Sequence, residues 1–446
     1  MLFPRNWSFR IVGNVYYAGY MYRTLSQVMD DLGRRTNYER MPPQSRKSRM
    51  FNLDRMRALM KALGNPELSF RSIHIGGTKG KGSTALMLEK ILLSSGKTVG
   101  AFTSPHLVHV LERIRLGGSP VEEKIFLRSM NRMKKVLDRI RPTFFEIMNA
   151  AAFLIFQEQK VEWALVEVGL GGRLDSTNIL SPEVSVLTTI DLDHMDVLGS
   201  SISEIAEDKA GIIKPGVPIF TSARKRDALS VITRKAKELG APLCRLGREI
   251  RIAGATRTQK GVLQFRVERK GYPISLIRLP LLGEHQAENG AIAVSVAQHI
   301  GVKKKVIEKG LTSLQLPGRI EVVGRHPDMI VDVGHNPAAI RALVRALPAQ
   351  KGKSWLIFGA AQDKDWEEML RILKPHVDVG FMTRANHPRA CSPGDLAKAA
   401  PFPVEAVSSV SEAVSLAQSR SAKKDRILIT GSFSVVGEAL EGVRSS

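Results

Sequence analysis

From about residue 70 onward, short apolar, β-branched runs alternate with longer stretches of helical period. Residues 72–75, 99–102, 163–168, 184–190 and 217–221 have the length and composition of strands buried on both faces, and helical stretches separate most of them. This alternation predicts an α/β fold with a mainly parallel sheet covered by helices, in which ligands bind at the carboxyl ends of the strands. Between 244 and 282 the period changes to two (Leu263, Phe265, Val267; Tyr272, Ile274, Leu276), the pattern of a small antiparallel subdomain. A helix over about 287–299 returns to the core. Leu316-Pro317-Gly318 then punctuates the chain, and a second, Rossmann-like αβ pattern follows, with strands at 329–332, 354–358, 377–381 and 426–430. The expected division is an extension over 1–20, a first domain over 21–316 and a second over 317–446, with no internal repeat.

The polar residues with the most chemistry each follow a predicted strand: 76–83, 103–106, 169–178 and 191–196. The first of these reads Gly-Gly-Thr-Lys-Gly-Lys-Gly-Ser, between Ile73 and Ile75 on one side and the helical Leu86, Leu88, Ile91 and Leu92 on the other. Glycines let backbone N–H groups approach an anion, a following helix offers its positive end, and Lys81 adds a full charge. The loop is a phosphate cradle, but it is not the common P-loop, which needs glycine where Ile75 stands and Ser or Thr where Gly82 stands. That spacing argues against a GTPase or a generic ATPase.

Glu167 ends an apolar strand, and Asp191-Leu-Asp-His194 follows another, so a carboxylate and an imidazole able to bind a divalent ion emerge beside the cradle. Gly169-x-Gly171 is no dinucleotide fingerprint, because Leu174 occupies the third glycine position.

Composition narrows the setting. The 446 residues are 43% hydrophobic, enough for two or three domains with a substantial core. Two separated cysteines, Cys244 and Cys391, suggest neither disulfides nor structural zinc and fit a reducing cytoplasm. The net charge of +23 is spread along the chain with few aromatics, which is weak support for nucleic acid binding. Its densest stretch, 34–49, sets Arg34, Arg35, Arg40, Arg46, Lys47 and Arg49 against Glu39 alone, and reads either as an attractor of anionic substrate or as a solvated loop. Asn14 and two glycines interrupt the first twenty residues before any apolar run reaches signal or membrane length.

Taken together, the motifs resemble the dihydrofolate synthase/folylpolyglutamate synthase family of Mur-type ATP-dependent amide ligases, over about residues 25–437. They are GGTKGKGS, TSPHL at 103–107, ERIRL at 112–116, TFFE at 143–146, VEVGLGGRLDSTN at 166–178, DLDHMDVLG at 191–199 and EDKAGIIKPGVP at 207–218. The second half adds GEHQAENGAIA at 283–293, LPGRIEVV at 316–323, DVGHNP at 332–337, DKDW at 363–366 and GSFSVVGE at 431–438.

The resemblance implies roles by position. Gly80, Lys81, Gly82 and Ser83 would bind the ATP phosphates, with magnesium on Ser104, Glu167 and His194. Asn289, Arg319 and Asp332, with His335 beside them, would contact ATP between the two domains. Thr143, Leu174, Asp175 and Ser176 would surround the pterin. Lys209 matches a lysine that relatives carbamylate, although an unmodified structural lysine fits its position equally. Many bacterial members carry asparagine where Lys79 stands, so Lys79 either adds a cation beside the phosphates or points to solvent. The implied reaction phosphorylates a dihydropteroate or folate carboxylate with ATP and joins the acyl phosphate to L-glutamate. Lys81, Glu167, His194 and Lys209 would be its catalytic group. The implied protein is a cytoplasmic monomer that uses neither nucleic acid nor membrane. A Mur-type ligase for another carboxylate is the main alternative, and a nucleic-acid-stimulated ATPase is the more distant one.

Overall fold

The computed structural model describes residues 7–12, 15–39, 41, 52–258 and 262–444. Most of the basic stretch, including Arg40, Arg46, Lys47 and Arg49, lies outside the described residues. Within 1–20, expected as an extension, strands β1 (Trp7–Val12) and β2 (Val15–Tyr20) pair as an antiparallel hairpin.

The first large sheet contains β3 (Arg71–Gly76), β4 (Val99–Phe102), β5 (Ile114–Leu116), β6 (Ser119–Pro120), β7 (Trp163–Glu167), β8 (Val184–Leu187), β9 (Ile219–Thr221) and β10 (Leu243–Arg245). Its order is β10-β9-β8-β3-β7-β4-β5-β6, parallel except for the β5 and β6 edge. Alternate residues of each strand enter opposite cores, so one-face polarity is absent. Ile73, Ile75, Ala101 and Leu165 pack on the helices Lys81–Ser94 and His285–His299, while Phe102, Ala164 and Val166 pack on the helix Phe144–Glu158.

The antiparallel subdomain forms from β11 (Ile250–Arg257), β12 (Leu263–Arg269) and β13 (Ser275–Leu279). Phe265, Val267, Ile277 and Leu279 are fully buried in the core shared with the His285–His299 helix. The last sheet has the order β14-β15-β19-β16-β17-β18, from β14 (Glu321–Gly324), β15 (Asp328–Asp332), β16 (Ser354–Phe358), β17 (Val379–Met382), β18 (Val404–Ala406) and β19 (Arg426–Thr430). Only β14 runs antiparallel to its neighbour.

Register explains where the polar loops meet. Parallel pairing sets Ile75 against Glu167 and Gly76 against Leu187, so the loops after β3, β7 and β8 leave one edge together. In the last sheet Asp332 and Phe358 both pair with Thr430, which defines a second such edge.

Several predicted strands end elsewhere, 72–75 among them, which runs on to Gly76. The run over 184–190 stops at Leu187 because the next residues bond to the phosphate loop: Thr188 N and Oγ1 donate to Gly76 O, and Thr189 O accepts from Thr78 N. The strand expected at 163–168 ends at Glu167, and that at 377–381 is displaced to Val379–Met382.

Candidate active site

The two sheet edges face each other across a cleft of about 840 Å³. Its floor is the loop 76–83, whose Gly80 caps the Lys81–Ser94 helix without any side-chain cap bond. The first-turn N–H groups of that helix have no intrahelical acceptor, so they offer an uncapped, positive surface to an anion. Gly80 has φ +89, and a Cβ there would lie 2.3 Å from Asn289 Oδ1. Glycine is therefore required both by the left-handed backbone and by the close approach of the buried amide. Asn289 is held from its own helix, its Nδ2 donating to Gln286 Oε1 at 3.0 Å. It is neither a cap nor a surface amide.

Lys81 folds back over the loop, donating to Gly77 O at 3.2 Å and Thr78 O at 3.5 Å. Both acceptors are neutral, so its charge remains directed at the cradle. Glu167 is buried against it and accepts from Ser104 N at 3.2 Å. Desolvation raises the Glu167 pKa, with Lys81 the largest opposing influence. A carboxylate kept in this position without a direct ion pair suits a cation. Desolvation also holds His194 near pKa 4, leaving a neutral imidazole competent as a ligand, on a left-handed backbone (φ 49) at the cleft wall. Among the described residues no three His, Cys, Asp or Glu side chains gather tightly enough for a metal. The predicted set has two such groups and completes itself with a serine hydroxyl.

The second edge contributes Arg319, Asp332 and His335. Asp332 accepts from Ile320 N at 3.0 Å and Gly334 N at 2.9 Å, and burial lifts its pKa to about 6 despite Arg319. Arg319 lies over the Phe433 ring at 5.2 Å, and burial lowers its pKa against the opposing charges of Asp332 and Glu167. A cation from one edge thus senses a carboxylate from the other.

At the far end stand Thr143, Phe145, Leu174, Asp175 and Ser176. Three of these polar groups are already engaged. Thr143 Oγ1 accepts from Glu146 N in a capping box, and Ser176 Oγ accepts from Asn149 Nδ2 at 3.2 Å. Asp175 accepts from Leu170 N at 2.9 Å, from Thr177 N at 3.0 Å and from the Thr177 hydroxyl. Their visible work is to shape the wall.

Lys209 alone among the predicted site residues does not line the cleft. It is buried behind the loop, with Nζ donating to Gly77 O at 3.1 Å, and desolvation followed by Lys81 lowers its pKa to about 7. Lys79 lines the cleft beside the cradle, with its side chain partly exposed. It pairs with Asp191 at 3.7 Å, a carboxylate shared with Lys225 at 2.6 Å. Sequence reasoning passed over Tyr38, Arg55, Asp193, His285, Lys364 and Arg389, which also line the cleft. Asp193, His285 and Lys364 lie inside motifs named above, and Tyr38 and Arg55 fall in the stretch 36–56, TNYERMPPQSRKSRMFNLDRM, whose start resembles the family's pterin loop without giving a substrate code; Arg389 is brought in only by tertiary contacts.

Residues 75–297 match the Mur ligase middle domain, and residues 318–433 match the Mur ligase glutamate ligase domain. The dihydrofolate synthase/folylpolyglutamate synthase of Bacillus subtilis is 35% identical over 403 residues, covering 86% of this chain and 93% of that protein. The protein of the same name in Escherichia coli is 33% identical over 375 residues, 82% of this chain and 85% of its own. Among solved structures, E. coli FolC in complex with DHPP and ADP superposes with a TM-score of 0.83 at 29% identity, covering 95% of this chain and 98% of that one. A Yersinia pestis bifunctional folylpolyglutamate synthase/dihydrofolate synthase with Mn, AMPPNP and L-glutamate bound gives a TM-score of 0.81 at 29% identity, with 94% and 98% covered. With matches of this extent along both sheets and the cleft between them, the chain belongs to the dihydrofolate synthase/folylpolyglutamate synthase family and is an ATP-dependent ligase of the Mur type.

Proposed function

We propose that this chain joins L-glutamate to dihydropteroate and to the γ-carboxylate of folates, using ATP to activate the acceptor as an acyl phosphate. The observation that carries the reading is the uncapped helix start at Gly80–Lys81 facing Glu167, Asn289 and Arg319 in one cleft between two sheets. Residues 21–316 form the ATP-binding unit and 317–446 the glutamate ligase unit, with 1–20 as an extension.

A carboxylate is a poor electrophile, so its oxygen must first become a leaving group. The loop 80–83 holds the triphosphate through backbone N–H groups, and Lys81 offsets charge on the transferring phosphoryl. Magnesium, for which Ser104, Glu167 and His194 supply a hydroxyl, a carboxylate and a neutral imidazole, would add Lewis-acid neutralisation at the phosphate oxygens. Asn289, Arg319, Asp332 and His335 orient the nucleotide, so its binding draws the two edges together. The wall of Thr143, Leu174, Asp175 and Ser176 receives the acceptor. Water is kept from the acyl phosphate by the closed cleft, and the amino group of glutamate attacks the acyl carbon instead, forming the C–N bond as the C–O bond to inorganic phosphate breaks and the nitrogen loses a proton. The enzyme acts as a monomer in the cytoplasm and does not require nucleic acid.

The test is ADP release by the purified protein with MgATP and L-glutamate, comparing dihydropteroate, tetrahydrofolate and no acceptor. Release with both acceptors is expected. Release with dihydropteroate alone would restrict the enzyme to the first addition, and release with neither would transfer the reading to a Mur-type ligase for another carboxylate.

A further inference from the structure

The last sheet carries a second recess. The cleft meets the carboxyl ends of its strands, whereas a separate cavity of about 490 Å³ lies at their amino ends, around Ser354 of β16, Arg426 of β19 and Asp378 just before β17. Its volume is that of a small-molecule site. The helix Pro337–Ala346 runs from one recess to the other: Ala339 and Ala342 line the cleft, Val344 and Leu347 the cavity. A helix of this length sets the two about 15 Å apart.

A buried cation forms the cavity floor. Arg426 is 4% exposed, and among the described residues its hydrogen bonds go to neutral acceptors: Nε and Nη2 to Ser354 Oγ at 3.2 and 3.0 Å, Nη1 to Pro348 O at 3.1 Å, and Nη2 to His376 O at 3.5 Å. Asp378 is engaged elsewhere, its Oδ2 accepting from Ser354 N at 2.7 Å. Burial pulls the Arg426 pKa down, and Asp378 and Asp328 oppose it without pairing with it. A desolvated guanidinium in this state is destabilising, and an anion beside it would relieve the cost. Donors for such an anion are present. Ser354 Oγ gives both lone pairs to Arg426, so its O–H is left with no acceptor among the described residues, and one Nη1 N–H of Arg426 is likewise left over. Lys374 stands exposed at the rim beside the His376 ring, whose pKa burial and then Arg426 push below 6.5. Val344, Leu347 and Pro375 add an apolar wall.

We propose that this cavity is a second ligand site, for a small organic oxyanion: a phosphate or carboxylate held by Arg426, Ser354 and Lys374, with an apolar body against Val344, Leu347 and Pro375. The site lies outside the cleft and shares no residue with it. Its ligand takes no part in the ligase reaction, so the inference stands apart from the acceptor assigned above. A charge-assisted fork supplies the anchor, and the wall selects against a bare inorganic ion.

Calorimetric titration of the full-length protein with phenyl phosphate, benzoate and inorganic phosphate tests this, with the cleft first saturated by magnesium and a non-hydrolysable ATP analogue. One molecule of phenyl phosphate or of benzoate is expected to bind, and the tighter of the two identifies the head group. Inorganic phosphate, which has no apolar body, is expected to bind about tenfold more weakly than phenyl phosphate; equal affinity would overturn the organic part of the proposal. Removing Arg426 puts the fold at risk, so the deciding variant is Lys374→Ala/His376→Ala, which leaves Arg426 and its bonds in place. Its Kd for the tighter probe is expected to rise about tenfold or more, as suits loss of one charged hydrogen bond, with Tm unchanged. An unmoved Kd in that variant overturns the proposal, as does a wild-type protein that binds neither organic probe. Binding seen only when the nucleotide analogue is left out would place the probe in the cleft and overturn it too.

Discussion

We predict that Lys209, whose Nζ is buried on Gly77 O, reacts with carbon dioxide as the family resemblance implies. Only a neutral amine adds to CO₂, forming the N–C bond as a proton leaves the nitrogen, and an ordinary lysine is almost wholly charged near neutrality. Burial here brings the pKa from 10.5 to about 7. At pH 7.5 about three quarters of such a side chain is neutral, against roughly one part in a thousand for an ordinary lysine, an enrichment of several hundredfold. The carbamate would place a negative charge next to the Lys81 ammonium, whose proximity already disfavours a second cation. If the carbamate orders the loop, Lys209→Arg, which cannot become neutral, should lower kcat by about 10²- to 10³-fold, the usual cost of losing one charged group at such a centre. The assay is acceptor-dependent ADP release in CO₂-depleted buffer with and without added bicarbonate. Stimulation should grow as pH rises through 7, because the neutral fraction grows in that direction, and ¹³C-bicarbonate should give a carbamate resonance lost in Lys209→Arg. Turnover indifferent to CO₂ with no such resonance would refute the reasoning and leave Lys209 as a brace on Gly77 O.

Gly80→Ala should raise the ATP KM at least tenfold with the acceptor KM unchanged, since the left-handed backbone alone costs about 1–2 kcal/mol and the new methyl displaces Asn289; a near-normal ATP KM would contradict the cradle geometry. Glu167→Gln keeps the bond from Ser104 N but removes the charge, so the magnesium concentration for half-maximal rate should rise about tenfold or more. An unmoved magnesium titration removes Glu167 from the metal site. His74 is fully buried in β3, where burial holds its pKa near 3 against the ordinary 6.5, and its Nε2 meets Thr177 Oγ1 at 2.8 Å. Below pH 6.5 the unfolded chain takes a proton that the folded one refuses, so wild-type stability should fall relative to His74→Gln by up to about 1.4 kcal/mol per pH unit, or about 2 kcal/mol by pH 5. Parallel urea-midpoint curves for the two proteins from pH 7 to 5 would show that His74 is not buried neutral.

What could be read from the chain depended on how far apart the interacting residues lie. The phosphate loop was legible because its chemistry is local: glycines, Lys81 and the start of a helix occupy eight consecutive residues, and the apolar runs before and after fix a strand and a helix. The alternation of strands with helices and the existence of the antiparallel interlude followed from period, but its last strand was read out of phase: Ile277 and Leu279 are the buried residues of β13, while Ile274 is exposed and Tyr272 lies outside the strand. The strand over 184–190 was overextended for the opposite reason. Thr188 and Thr189 have strand propensity, but they bond to a loop more than a hundred residues earlier. Lys79 was ambiguous because its partner Asp191 is equally distant, and the hydrogen bond from Arg389 to Glu39 O across 350 positions is carried by no motif at all. Thr143 and Asp175 were placed at the acceptor wall, yet their oxygens are engaged by neighbouring residues, which only the folded loop reveals.

The division of the cleft between two sheets has its own logic. Parallel register gathers Lys81, Ser104, Glu167 and His194 at one edge, where they line the cleft. Arg319, Asp332 and His335 reach it from beyond Pro317, so the charge balance around Glu167 depends on the second sheet being near. Removing the Arg319 charge alone would leave Glu167, already raised chiefly by burial, with less opposing charge and a higher proton affinity, a weaker place for a cation. On the proposed reading, the nearness of the second sheet therefore does more than exclude water: through Arg319 it supplies part of the charge balance at Glu167 on which phosphoryl transfer would depend.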